Sequence, residues 1–325
     1  VLVIGGVVYV VGLAALMLLW ASQIETFWWL QVLNIFGLLL FAPLLLLMPI
    51  TALLRSMTLG VATLLGLGLF GFEFWASLRP VSPPTATANL RVMTFNQLYY
   101  TNTPTDLLTA IREQQADVVS LQELTRESAQ AIERELTDLY PYQFLLSRED
   151  TTLGLGLLSR RPFLATSQAN TFRGQLVQID VDGTPVQILN VYLPAPAYRI
   201  SPRRLIDEGA GFDAGSRSRA VDRLLQAVET LPGPLIVTGD FNTSDREPDY
   251  YRLASVLQDV FRSTSWGFGY TYPRNRPIGP ITWTLPLIRI DYVWVRGGVQ
   301  PVKAEVDCVR GGSDHCLLVT EIQVP

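Results

Sequence analysis

Hydrophobic residues run almost unbroken through residues 1–79 and then give way to short apolar runs broken by polar ones. Three apolar stretches fill the first part: Val1–Trp20, Phe27–Leu54 and Thr58–Leu78. About 20 helical residues cross roughly 30 Å of hydrocarbon. A soluble core helix of such length would carry a polar face, and these stretches show none. The pattern predicts an all-α transmembrane segment of about three helices over 1–79. A cleaved signal peptide accounts for the first stretch at most. The chain begins on Val1 rather than Met, so a longer native N-terminus is expected. Transport is a poor fit, because Glu73 is the one ionisable group available within the stretches and it lies near an end. An anchor is the expected role.

Pro80–Ala88 (PVSPPTATA) has the composition of a linker. Beyond it, residues 89–325 are long enough for one large core. Strands are predicted at Leu90–Phe95, Asp117–Gln122, Tyr142–Ser147, Leu153–Leu158, Gln175–Val181, Val186–Leu193 and Leu235–Thr238. Three more follow at Ile290–Val295, Val299–Val306 and Cys316–Ile322. Helices are predicted at Pro104–Gln115, Arg126–Leu139 and Ser218–Thr230. Mixed strands and helices with many hairpins point to an α/β architecture of two packed sheets flanked by helices.

Composition sharpens the division. Charged residues make up 17% of the chain against about 25% in ordinary soluble domains. The shortfall sits in residues 1–79, which hold only Glu25, Arg55, Glu73 and Arg79, so the formal charge of −4 belongs to the C-terminal part. Disorder and a disulfide-dense scaffold are excluded by the apolar content and by only 2 cysteines. A strongly basic nucleic-acid binder is disfavoured.

Polar residues mark the ends of the predicted strands. Asn96, Glu123, Tyr192, Asp240 and Asn242 follow or close apolar runs, while Asp291, Asp314 and His315 open or precede them. Carboxylates at the rim of an apolar sheet are costly unless hydrogen-bonded, paired or metal-bound. Any one of them alone fits a cap or turn; eight together point to a site. His315 is the single histidine, which excludes a zinc site built from several histidines.

These residues lie in the motifs TFN (94–96), LQE (121–123), GLLSRRP (156–162), NVYLP (190–194), GDFN (239–242), RIDYVWV (289–295) and SDHC (313–316). In order and spacing the set resembles the endonuclease/exonuclease/phosphatase superfamily over roughly residues 89–325. The resemblance implies a four-layer α-β-β-α sandwich and Mg²⁺- or Mn²⁺-dependent hydrolysis of a phosphoester by in-line attack of water. It implies Glu123, Asn96 and Asp314 as metal ligands. Asp240 would orient or deprotonate the water, Asn242 would hold a phosphate oxygen, and His315 would contact the scissile phosphate with Asp291 fixing its tautomer. Many members have histidine where this chain has Tyr192, which removes a two-histidine mechanism. Leaving-group protonation then falls to Tyr192, Asp240, metal-bound water or the substrate. A non-catalytic binding protein keeping the fold, and a nuclease acting on DNA, are the rival readings.

The segment Tyr198–Arg219 is rich in arginine, and Arg199 and Arg219 are candidates for substrate phosphates. With one lysine and an acidic domain, no long track for duplex DNA is visible; a tethered site favours a lipid head group or small phosphoester. Arg55 between the second and third stretches places that loop in the cytoplasm and the catalytic domain outside, although Arg79 and Arg91 pull the other way. Cys308 and Cys316 flank a turn between two strands, which fits either a disulfide or two buried thiols.

Overall fold

The strand Leu90–Asn96 (β1) shows how the C-terminal part is layered. Leu90 and Val92 join one buried apolar cluster, while Met93 and Phe95 join another. Side chains alternate across a strand, so apolar residues on both faces require cover on both sides. A computed structural model supplies that cover; it describes residues 1–22, 27–81, 85–98, 103–147, 153–169, 171–199, 211–278, 281–309 and 312–325.

The first sheet joins β1 with β2 (Val118–Gln122), β3 (Tyr142–Leu146), β4 (Leu155–Ser159), β15 (Gln300–Asp307) and β16 (Leu317–Gln323). Its order is β15-β16-β1-β2-β4-β3. The second joins β5 (Phe163–Ala169), β6 (Gly174–Val181), β7 (Thr184–Tyr192), β10 (Leu235–Asp240), β11 (Gln258–Asp259) and β14 (Asp291–Arg296), in the order β11-β14-β10-β7-β6-β5, and a separate antiparallel ribbon pairs β12 (Arg276–Ile278) with β13 (Ile281–Trp283). Each sheet has one parallel pair, β1 with β2 and β7 with β10, and is otherwise antiparallel.

Val92, Val118, Leu157, Val177, Ile188, Ile236 and Val293 form the layer between the sheets. On the outer face of the first sheet lie α6 (Pro104–Gln114) and α7 (Arg126–Glu135), through Leu107, Ile111 and Ile132. On the second lie α8 (Gly215–Thr230) and α9 (Pro248–Ala254), through Val221, Leu224 and Leu253. This is the four-layer sandwich expected from the sequence. A buried amide network bridges the sheets: Gln122 donates to Asn190 at 2.7 Å, and Asn190 donates to Leu121 O and Gly156 O, both at 3.1 Å. Buried amides are tolerated only when satisfied in this way.

The chain divides into two compact units, Val1–Arg79 with Ala197–Asp213, and Pro80–Pro196 with Ala214–Pro325. The first holds α1 (Leu2–Ala21), α2 (Trp28–Ile35), a 3₁₀ turn (Gly37–Phe41), α3 (Pro43–Leu54), α4 (Met57–Glu73), α5 (Trp75–Leu78) and a ribbon of β8 (Ala197–Arg199) and β9 (Gly211–Asp213). The segment after Tyr192, expected in the catalytic domain, therefore groups partly with the N-terminal helices.

Three uninterrupted spans are not what the structure shows. Among the described residues two helical segments are long and apolar enough to cross a membrane, Leu2–Ala21 with 20 residues and Gly37–Leu54 with 18. The Phe27–Leu54 stretch breaks into α2, the 3₁₀ turn and α3; Pro43 has no N–H to continue a preceding helix and so opens a new one. The third stretch forms a helix of 17 residues before breaking at Phe74. Close packing comes from small residues: a Cβ on Gly66 would lie 2.6 Å from Leu44 Cδ2. Val8, Leu18, Leu45, Leu46 and Leu53 remain exposed.

Candidate active site

Strand register assembles the site. In the second sheet Asp240 at the end of β10 is the cross-strand partner of Tyr192 at the end of β7 and of Asp291 at the start of β14. Gly239 before it has φ +140°, and a Cβ there would lie 2.0 Å from Val191 O, so only glycine lets the strands approach. In the first sheet Asn96 closes β1 and Glu123 follows β2, with Glu123 at φ +56°. Parallel strands bring these ends to one edge.

All eight singled-out groups are buried or nearly so, and all eight lie in one chain of contacts. The Tyr192 hydroxyl donates to Glu123 Oε1 at 2.7 Å. Asn96 Nδ2 lies 3.3 Å from Glu123 Oε1 and 3.0 Å from Asp240 Oδ2, donating to both. Asp240 Oδ2 is 4.0 Å from His315 Nε2, and Asp291 Oδ2 is 2.9 Å from His315 Nδ1. Asp314 Oδ1 also lies 4.0 Å from His315 Nε2. Asn242, at φ +50°, donates its backbone N–H to Asp240 Oδ1 at 2.8 Å. Its side-chain amide donates to Leu193 O at 2.9 Å and Asp240 Oδ2 at 3.2 Å. Asn242 thus holds Asp240; a bond to a phosphate oxygen would replace one of these.

Burial and neighbours set the protonation. Asp240 is pushed up to about 7, first by desolvation and then by the Asp291 charge, against the pull of His315, Asn96 and Asn242. Burial alone would lower His315, but the charge and hydrogen bond of Asp291, with the charges of Asp240 and Asp314, raise it to about 10. With Nδ1 committed to Asp291, the Nε2 edge faces Asp240 and Asp314.

A divalent metal fits the donor chemistry. Asp314 Oδ1 and Asp291 Oδ1 are buried without a hydrogen-bond donor, which leaves acceptor oxygens suited to a hard cation. Among the described residues the acidic and histidine groups within 4.8 Å of one another are Asp240, Asp291 and His315. A histidine that holds its proton offers no lone pair, so these three suit proton handling better than ligation. The ligands expected from the sequence divide: Glu123 and Asn96 are in contact, while Asp314 joins through His315 and pairs with Arg276 Nη1 at 2.5 Å.

Several supports were not visible in the sequence. Thr271 Oγ1 accepts from the N–H groups of Ile290 and Asp291 at 3.2 and 3.3 Å. The Tyr272 ring packs on His315 with centroids 4.8 Å apart. Buried Arg217 donates to Asn242 O at 2.6 Å and pairs with Glu247 and Asp249. No local pattern marks these partners, which lie 19–43 residues from what they hold. Ser313, within SDHC, donates to Asn96 O at 2.7 Å and accepts from His315 N–H at 3.0 Å. Cys308 and Cys316 form a disulfide with Cα atoms 4.4 Å apart, closing the loop that carries Asp314 and His315. Arg219 is exposed and lines a cavity. The Arg199 side chain, with Arg203 and Arg204, lies outside the described residues.

Comparison with known proteins agrees with this geometry. The profile of the Endonuclease/Exonuclease/phosphatase family matches residues 86–315. Danio rerio TDP2, solved with a single-strand DNA product, superposes with a TM-score of 0.55 at 18% identity, covering 72% of this chain and 99% of that one. An endonuclease/exonuclease/phosphatase from Beutenbergia cavernae gives 0.54 at 20% identity, covering 73% of this chain and 72% of that one. A conserved protein of unknown function from Enterococcus faecalis gives 0.55 at 18%, covering 73% and 100%. No curated protein matches the sequence.

Proposed function

We propose that this chain, which belongs to the endonuclease/exonuclease/phosphatase family, is a membrane-anchored, divalent-metal-dependent phosphoester hydrolase. The observation that carries the reading is the buried run from Asp291 through His315 to Asp240, meeting Asn96 and Glu123 at the strand ends of the facing sheet. Asp240, titrating near 7, is suited to accept a proton from the attacking water at neutral pH. His315 keeps its proton there and directs Nε2–H toward the site, where it can donate to charge developing on the phosphoryl group. Asp291 fixes the imidazole tautomer, and Tyr192 orients Glu123. Glu123, Asn96 and Asp314 would hold Mg²⁺ or Mn²⁺, which when bound stabilises negative charge on oxygen.

Anchoring is supported by the exposed apolar faces of the N-terminal helices, since a soluble core helix would bury them. A multi-pass anchor with the catalytic domain outside the cytoplasm is the reading favoured by Arg55 and by the disulfide, because disulfides persist in oxidising compartments. The acidic domain favours a lipid head group or small phosphoester over duplex DNA.

The test is release of p-nitrophenol from bis-p-nitrophenyl phosphate with Mg²⁺ or Mn²⁺ and with EDTA. Metal-dependent release is expected. Its absence, with either metal and from folded protein, would overturn the reading in favour of a binding or scaffold protein. A panel of DNA, sphingomyelin, phosphoinositides and lysophospholipids then assigns the substrate.

A further inference from the structure

We propose that the cavity beside Tyr192 is a second anion site, which takes a phosphate-class group of the substrate other than the one hydrolysed; this rests on the phosphoester-hydrolase reading. The cavity encloses about 580 Å³, within the range of small-molecule sites. Arg173, Arg219 and Arg223 line it, together with Phe172, Pro194 and Ser216.

Among the described residues none of the three arginines has a carboxylate partner. Arg217, one helical half-turn before Arg219, is neutralised by Glu247 and Asp249. Arg223 Nη1 donates to Thr171 O at 2.9 Å, which fixes that guanidinium at the wall. Three like charges around one volume repel each other, and an anion relieves that repulsion. Guanidinium forks match phosphate oxygens in shape as well as charge.

Tyr192 joins this cavity to the catalytic groups. Its hydroxyl bonds Glu123, and the Arg173 guanidinium carbon stands 5.5 Å from its ring centroid. The Tyr192 N–H also donates to Arg173 O at 3.0 Å, and Pro194 follows two residues later in the cavity wall. A substrate phosphoryl group at the Glu123 edge would therefore have its neighbouring group on the arginine side. A lipid phosphate and a soluble phosphate share the required chemistry.

The test uses the full chain in mild detergent with inorganic pyrophosphate as probe. Calorimetric titration is run in EDTA, so that metal loading is not needed. Wild type should bind, and an Arg219→Ala/Arg223→Ala double variant should bind at least about tenfold more weakly. No binding by wild type, or equal binding by the variant, overturns the proposal. Turnover supplies a second readout: kcat/KM for the 5′-p-nitrophenyl ester of thymidine 3′,5′-bisphosphate relative to the ester lacking the 3′-phosphate. That ratio should exceed one in wild type and collapse in the variant; a ratio the substitutions leave unchanged overturns the proposal. Pyrophosphate binding lost in the variant, with neither ester hydrolysed by wild type, would sustain the anion site and refute the hydrolase reading. Displacement of pyrophosphate by phosphatidylcholine vesicles containing phosphatidic acid, but not by plain ones, assigns the anion to a lipid; no displacement by either assigns it to a soluble phosphate.

Discussion

Replacing Asp291 by Asn keeps its size and removes the charge that faces His315. The two groups are 2.9 Å apart and both are buried, so water cannot substitute for the carboxylate. A hydrogen bond to a charged partner contributes about 1.5–3 kcal/mol. If that energy is spent on holding the imidazole, its loss slows kcat by roughly ten- to a hundredfold, since about 1.4 kcal/mol is a factor of ten. An amide can also present its N–H₂ to Nδ1 and so select the wrong tautomer. The protonation should move as well. In the folded protein His315 is raised from 6.5 to about 10, against the effect of burial, by Asp291 first and then by Asp240 and Asp314. The folded state therefore binds this proton more tightly than the unfolded chain. That stabilisation is present in full below about pH 6.5 and is lost as pH rises toward about 10. Asp291→Asn should move the upper limit downward. Because His315 is the only histidine, a single labelled imidazole resonance reports the titration without assignment. The assay pairs that resonance with kcat against pH on bis-p-nitrophenyl phosphate. Nearly full kcat, an unchanged pH profile and an unmoved imidazole titration would refute the pairing.

Three further outcomes follow from the packing. Gly239→Ala should cost on the order of 3 kcal/mol or more, because its Cβ would meet Val191 O at 2.0 Å; an unchanged thermal midpoint would contradict the strand geometry. Arg217→Lys keeps the charge but lacks the guanidinium fork that serves Glu247, Asp249 and Asn242 O together, and should destabilise by about 1–3 kcal/mol as a buried acceptor loses its donor; denaturant titration measures it, and wild-type stability would show the fork to be dispensable. Reduction of Cys308–Cys316 should lower stability by roughly 2–3 kcal/mol, read as a fall in melting temperature with reductant; two thiols alkylated in native, unreduced protein would show that the bond does not form.

Much of the C-terminal sandwich was legible because its central strands are buried on both faces. Leu235–Val237 is a continuous apolar run and Val186–Val191 is interrupted only by Gln187 and Asn190, and the polar residues at their ends marked the site. Edge strand β5 was missed because it is mostly exposed and has no apolar run to announce it. The helix expected over Arg126–Leu139 stops at Glu135: Leu136 leaves helical geometry at φ −117°. Tyr140, four residues on, is buried with its hydroxyl on Ala116 O. Tertiary burial outweighs helix propensity there. Eight of the site residues were visible as polar groups at strand ends. Arg217, Thr271, Tyr272 and Arg276 were not visible in those roles, because each acts through a partner brought near only by folding.

The central claim is metal-dependent phosphoester hydrolysis at the edge shared by Glu123, Asp240 and His315. Its most direct test is turnover of bis-p-nitrophenyl phosphate as a function of Mg²⁺ concentration in wild type and Glu123→Gln, with folding verified for both. The amide is isosteric but a poorer ligand for a hard cation. Saturable Mg²⁺ dependence in wild type, with most activity lost at limiting metal in the variant, is the expected result. Equal turnover by both proteins at limiting Mg²⁺ would contradict the assignment of Glu123 and with it the metal-dependent site.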